Sequence, residues 1–252
     1  MSKIISIHSF RGGTGKSNTT ANIAALLAAD GARVCVVDTD INSPGIHVLF
    51  NLDETQMVHS LNDYLWGKCS IEEAAHDVTG YIGGEIKGQV FLIPSSIKAG
   101  EIARILREGY DVGLLNDGFR DVVEKLNLDY LLIDTHPGLN EETLLSIAIS
   151  NALVIILRPD QQDYQGTAVT VDVAKKLDVP KLLMLVNKVP STLDPEDVRA
   201  RVEQTYDAKV AAVLPHSDEM MSLASSGIFS IRFPDNSVTK GLRSLVEQLK
   251  EG

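Results

Sequence analysis

The sequence predicts an α/β protein: a doubly wound, mostly parallel sheet with helices on both faces. Three observations carry this. Short apolar runs rich in Val, Ile and Leu recur along the 252 residues and mostly do not alternate with polar residues, the pattern of strands buried on both faces. Segments of helical periodicity separate the runs, and strand alternating with helix over a whole chain indicates parallel strands joined by crossovers. A glycine-rich turn, Gly12-Gly13-Thr14-Gly15, joins the first run to the first helical segment. Right-handed crossovers put that turn on the edge where strand C-termini gather and ligands bind.

The predicted strands are 4–9, 33–38, 89–94, 130–135, 152–159, 181–188 and 209–215. The predicted helices are 16–29, 98–107, 115–127, 141–150, 164–177, 195–205 and 238–250. No repeat, low-complexity tract or linker interrupts them, so a single domain over 1–252 is expected. The stretch 51–88 is less regular; it carries Trp66 and several polar turns and reads as a small insertion of short helices.

Composition narrows the function. With 44% hydrophobic residues the chain has ample apolar surface to bury, which excludes disorder as the main state. A net charge of −11 repels phosphate polymers and leaves only a local basic patch as a route to nucleic acid. Cys35 and Cys69 are isolated, so neither a disulfide scaffold nor a thiolate metal site is expected. No apolar stretch reaches the length of a membrane-spanning helix. The N-terminal MSKIISIHSF lacks a small-residue cleavage site, so a cytoplasmic protein is expected.

The first motif is Phe10-Arg11-Gly12-Gly13-Thr14-Gly15-Lys16-Ser17, between a strand and a helix N-terminus. Glycines let backbone N–H groups converge on an anion without Cβ obstruction, and the helix dipole adds a favourable field at the same place. Lys16 is placed to reach β- and γ-phosphates, and the Ser17 hydroxyl to ligate Mg²⁺. The expected nucleotide-binding set is therefore Gly12, Gly13, Thr14, Gly15, Lys16, Ser17 and Asn18. Two further strands end in carboxylates. RVCVV runs into Asp38-Thr39-Asp40-Ile41-Asn42-Ser43-Pro44-Gly45, and YLLI into Asp134-Thr135-His136-Pro137-Gly138. Carboxylates at strand C-termini beside a phosphate loop suit Mg²⁺ and water positioning, so Ser17, Asp38 and Asp134 form the expected metal set. The strand LMLV ends in Asn187-Lys188-Val189-Pro190, where an amide can pair with the adenine edge. The carboxylate that would read guanine in an Asn-Lys-x-Asp motif is missing, which favours ATP and ADP over guanine nucleotides.

The loop departs from the usual phosphate loop: Phe10 holds the first glycine's place, and Arg11-Gly12-Gly13 follows. This resembles the deviant loop of the ParA/MinD family of ATPases, x-Lys-Gly-Gly-x-Gly-Lys-Ser/Thr, and the resemblance runs along nearly the whole chain. In that family the first loop lysine reaches across a dimer to the partner's nucleotide. Arg11 stands there in this chain, and an arginine keeps the charge and can grip phosphate with two N–H groups. The resemblance also implies that Asp40 orients the attacking water, that the Asp38 and Asp134 loops act as two switches, and that Pro215 or His216 packs on the base. It implies that Arg158-Pro159-Asp160 faces a dimer partner. The family needs no histidine base, so His136 is expected to serve structure or an interface.

The implied function is a Mg²⁺-dependent ATPase that forms a homodimer in the ATP state. An activating protein partner would trigger hydrolysis, and the cycle would position cellular cargo or a division-site factor. Lys16, Asp40 and Arg11 carry the chemistry. DNA attachment needs a basic face, yet 193–252 holds 7 Lys/Arg against 10 Asp/Glu. Membrane attachment needs a basic amphipathic tail, and KGLRSLVEQLKEG reads as a core helix. The charge pattern therefore supports neither. An ATP-binding regulator with little turnover, and a metabolic or metal-insertion ATPase, are the alternative readings.

Overall fold

A computed structural model of the protein describes residues 2–251. The chain begins with β1 (Lys3–His8), α1 (Lys16–Ala29) and β2 (Arg33–Asp38). Short pieces follow: α2 (Ile46–Leu49), α3 (Leu61–Leu65), β3 (His76–Asp77), α4 (Thr79–Ile82) and β4 (Gln89–Ile93). The central part holds α5 (Ala99–Glu108), α6 (Val112–Lys125), β5 (Tyr130–Asp134), α7 (Glu141–Ile149) and β6 (Ala152–Leu157). The rest comprises α8 (Gln161–Lys176), β7 (Leu182–Val189), α9 (Pro195–Tyr206), β8 (Lys209–Pro215), α10 (Asp218–Leu223), α11 (Phe229–Arg232) and α12 (Ser237–Lys250).

The eight strands form one sheet in the order β3-β4-β2-β5-β1-β6-β7-β8. All pairings are parallel except β3 with β4, where His76 faces Leu92. The stretch 51–88 thus contributes an edge strand as well as short helices. Its two-residue length left no alternating pattern to read in the sequence.

The period of two explains why the strands look uniformly apolar. Along β2, Val34 and Val36 join the layer beneath α1 and α12, while Cys35 and Val37 join the opposite layer with Leu61, Leu115 and Phe119. Along β6, Val154 and Ile156 face the first layer, and Leu153, Ile155 and Leu157 pack with Val171 of α8 and Val202 of α9. Both faces are dry, so neither set of alternate residues is polar. A fully buried Leu or Ile contributes roughly 1.5–3 kcal/mol, and the core is made of dozens of such side chains.

Most of the longer helices carry a side-chain cap. Asp160 accepts from Asp163 N at α8, Asp194 accepts from Glu196 N at α9, and Asn140 accepts from Thr143 N at α7, satisfying donors that would otherwise lack partners. Helix α1 differs. It begins after Gly15, held at φ +101°, with no side-chain cap. Its first N–H groups stay available at the C-terminal end of β1. Among the described residues no helix is long and apolar enough to cross a membrane.

Candidate active site

The parallel strands bring the phosphate loop, both carboxylate loops and Asn187 to one edge. β1 lies between β5 and β6, and β2 lies beyond β5. Asp38 and Asp134 are register partners at the ends of β2 and β5. The glycine loop follows β1 directly.

The loop is built to hold an anion. A Cβ at Gly12 or Gly13 would meet nothing within 4 Å, so the backbone faces open space. Gly15 is different: besides its positive φ, a Cβ there would sit 2.5 Å from Asn187 Nδ2. Lys16 is 7% exposed. Thr14 is buried, and its Oγ1 has no hydrogen-bond partner among the described residues. A buried hydroxyl without a partner is costly and marks a place where a ligand oxygen fits.

The loop is braced from β7. Asn187 Nδ2 donates to Thr14 O at 2.8 Å, and Lys188 Nζ donates to Gly13 O at 2.8 Å. Asn187 Oδ1 accepts from Lys188 N at 2.8 Å, and Lys188 holds φ +57° to allow this. The Asn187 amide expected to read the base thus also ties down the loop, leaving one of its two N–H donors uncommitted. Beside it lies a cavity of about 170 Å³ lined by Asn18, Asn187, Lys188, Leu214 and the two methionines Met220 and Met221, among others. Pro215 does not line this cavity. It is exposed at the end of β8, and Leu214 is the residue that faces inward. His216 is likewise exposed. Sequence reasoning missed Lys188, Met220 and Met221, and the only signal for the methionines was an apolar pair at the start of a short helix.

The carboxylates are buried together. Asp38 and Asp134 are each 1% exposed. Asp38 Oδ1 accepts from Asp40 N at 3.0 Å and Oδ2 from Gly45 N at 3.3 Å. Burial, followed by the charge of Asp134, holds Asp38 well above the usual carboxylate range. Asp134 is also pushed up by burial, while Lys16, Ser17 and Thr20 pull it back. Thr20 Oγ1 donates to Asp134 Oδ1 at 3.1 Å. Two adjacent buried carboxylates beside a hydroxyl favour a bound cation. Among the described residues no three His, Cys, Asp or Glu side chains gather to hold a metal ion. Asp38, Asp134 and the Ser17 hydroxyl offer oxygen donors only, a set that fits Mg²⁺, which keeps its waters and takes phosphate oxygens alongside one or two carboxylates.

Asp40, two residues beyond Asp38, accepts from His136 Nδ1 at 2.7 Å. Glu142, at the start of α7, is pushed up to about 7 by burial and then by the charge of Asp40, and it accepts from the Tyr110 hydroxyl. Behind the loop, His8 is fully buried at the end of β1. Its Nδ1 meets Thr135 Oγ1 at 2.7 Å, and its pKa is lowered to about 3, chiefly by burial and then by Lys16.

Arg11 does not enter the cradle that follows it. Its guanidinium lies 3.3 Å from Asp163 and 3.5 Å from Asp160, and its side chain is 36% exposed. Arg158 grips the same pair, with Nε 3.1 Å from Asp163 and Nη2 3.2 Å from Asp160. Two arginines and two aspartates thus neutralise one another at the rim of α8.

A strand, an uncapped glycine loop and a lysine-bearing helix at the C-terminal edge of a parallel sheet define a P-loop nucleotide hydrolase. The family model described as an AAA domain, AAA_31, matches residues 2–182. An ATP-binding protein of Methanocaldococcus jannaschii is 27% identical over 250 residues, covering 99% of this chain and 88% of that protein. The septum site-determining protein MinD of Pyrococcus horikoshii, solved with Mg-ADP, superposes with a TM-score of 0.81 at 21% identity, covering 100% and 97% of the two chains. A ParA family ATPase of Chlorobium tepidum gives 0.76 at 15% identity, covering 98% and 99%. The two solved structures establish the shared fold. The chain belongs to the AAA-domain family AAA_31 and is a P-loop ATPase with the ParA/MinD fold.

Proposed function

We propose that this ATPase is a nucleotide-operated switch: ATP binds with Mg²⁺ and bridges two copies of the chain. A protein partner triggers hydrolysis, and the subunits separate. The observation that carries this reading is the placement of Arg11. Its charge sits on the partly exposed rim of the phosphate loop, outside its own cradle, which supports a contact with a nucleotide held by a second subunit. An arginine supplied across an interface stabilises the charge that develops in phosphoryl transfer. The name of the Pyrococcus protein, a septum site-determining protein, adds support for a role in positioning a division site.

In this reading the loop N–H groups and Lys16 hold the β- and γ-phosphates, and Asn187 with Leu214 and Met220 holds the adenine. Ser17, Asp38 and Asp134 hold Mg²⁺, which supplies positive charge against the phosphate oxygens. Asp40 orients the water for attack. Order in the Asp38 and Asp134 loops then depends on the γ-phosphate, the general device of nucleotide switches.

The test is Asp40→Ala. The variant is expected to bind ATP normally, lose turnover and persist as an ATP-bound dimer. Unchanged turnover would remove Asp40 from the mechanism. The ion pairs of Arg11 with Asp160 and Asp163 favour one second reading, a nucleotide-binding regulator with little turnover, in which Arg11 stays on α8 throughout. An Arg11→Ala variant that dimerises and hydrolyses like the parent would select it.

A further inference from the structure

His136 is the residue of the second carboxylate loop that the proposed cycle leaves without a task. Its surroundings give it one. The segment that carries it is pinned on both sides: Thr135 N donates to Ile7 O at 3.2 Å, and Gly138 N donates to Ser9 O at 3.2 Å. The Thr135 hydroxyl adds a bond to the same Ile7 carbonyl at 3.0 Å. The imidazole is therefore presented from a backbone fixed to β1 and to the start of the phosphate loop. Asp40 is tethered differently. Its backbone N donates to Asp38 Oδ1 at 3.0 Å, and its carboxylate lies on a turn that runs into Ser43-Pro44-Gly45. The terminal torsion of an aspartate is broad, so without a partner the carboxylate samples many orientations.

We infer that His136 is a positioning residue: it locks the Asp40 carboxylate in the orientation that presents a single free oxygen to water, and it couples the two switch loops directly. This rests on the reading that Asp40 orients the attacking water. The bond runs from His136 Nδ1–H to Asp40 Oδ1 at 2.7 Å. The same oxygen accepts from Ser43 N at 3.2 Å. Both protein donors thus converge on Oδ1. Among the described residues Oδ2 takes no hydrogen bond, which leaves it as the acceptor for a water. The pair is only partly exposed, 24% for the His136 side chain and 15% for Asp40, so surrounding water competes weakly for the bond. The two residues are 96 positions apart in sequence and lie on different loops. Any shift of the Asp40 turn must therefore carry the His136 loop with it or break the bond.

The test compares three substitutions by single-turnover ATP hydrolysis and nucleotide affinity, using the full chain. Asn places an amide N–H near the position of Nδ1, Gln reaches instead toward the position of Nε2, and Leu offers no donor. His136→Leu and His136→Gln are expected to slow hydrolysis about 10- to 100-fold with ATP affinity within about twofold, and His136→Asn to restore most of the rate. In an Asp40→Ala background, His136→Leu should cause no further loss, because the positioned group is already gone. Equal rates for the Leu variant and the parent, or equal losses in the Asn and Gln variants, would overturn the inference. Failure of the underlying reading looks different: Asp40→Ala alone would then leave hydrolysis unchanged. If the Leu variant does not fold, the contrast between Asn and Gln decides the matter alone.

Discussion

Among the described residues Lys16 is the only buried lysine or arginine, and it lies near a carboxylate pair that burial has driven toward the protonated state. Replacing it removes the proposed phosphate contact and the cation that counters Asp134. We expect Lys16→Ala to weaken ATP binding at least 10- to 100-fold, measured by calorimetry; micromolar binding equal to the parent's would contradict the site. His8 supplies a second prediction. The folded protein keeps it neutral down to about pH 3, whereas the unfolded chain protonates it near 6.5. The unfolded state thus binds more protons between these values, and stability is lost as pH falls below 6.5. The loss attributable to His8 is about 2 kcal/mol between pH 7 and pH 5. Urea unfolding at both pH values should show a shallower decline for His8→Asn. At this scale the sequence was informative where chemistry needs a fixed spacing: Gly15, Lys16, Ser17, Asp38 and Asp134 all reach one edge. It was silent on contacts made across the fold. Lys188 braces the loop through a carbonyl 175 residues away, and nothing in its neighbours announces that.

At the scale of elements, the glycines with close neighbours mark where pieces meet. Gly166 lets α8 pass beneath Phe10, since a Cβ there would stand 1.9 Å from the ring. Phe10 occupies the place of a glycine in ordinary phosphate loops, so its ring needs this gap. Gly166→Ala should displace Phe10 and the loop, lowering nucleotide affinity more than thermal stability; a change in melting temperature alone would count against that link. Helix α7 carries a pH dependence of opposite sign to that of His8. Glu142 holds its proton up to about pH 7 when folded and releases it near 4.5 when unfolded. The folded state therefore binds more protons in that window, and stability falls as pH rises through it. Glu142→Gln should be more stable than the parent at pH 8, by on the order of 1–3 kcal/mol, with little difference at pH 4.5. The long elements were legible because their apolar periods are long. The predicted strand 33–38 coincides with β2, and the predicted helix 16–29 with α1. The short ones, α2, α4, α11 and β3, span two to four residues, and such lengths contain no period to detect. The helix expected at 115–127 begins instead at Val112, because Asp111 caps it by accepting from Gly113 N.

For the whole molecule, the decisive property is what ATP does to association. The exposed Arg11 belongs to a four-member charge cluster with Asp160, Asp163 and Arg158, so a contact with a second subunit's nucleotide must break its pairs with α8. The pair with the exposed Asp160 is worth about 0–1 kcal/mol, and the buried Asp163 stays paired with Arg158 when Arg11 leaves. The most direct measurement is light scattering of the purified chain with Mg²⁺ and, in turn, ADP, ATP and a non-hydrolysable ATP analogue. A nucleotide-operated switch is a monomer with ADP that becomes a dimer with the ATP forms, and its Arg11→Ala variant stays monomeric while still binding nucleotide. A mass that does not change with nucleotide, in a chain that still hydrolyses ATP, would contradict it.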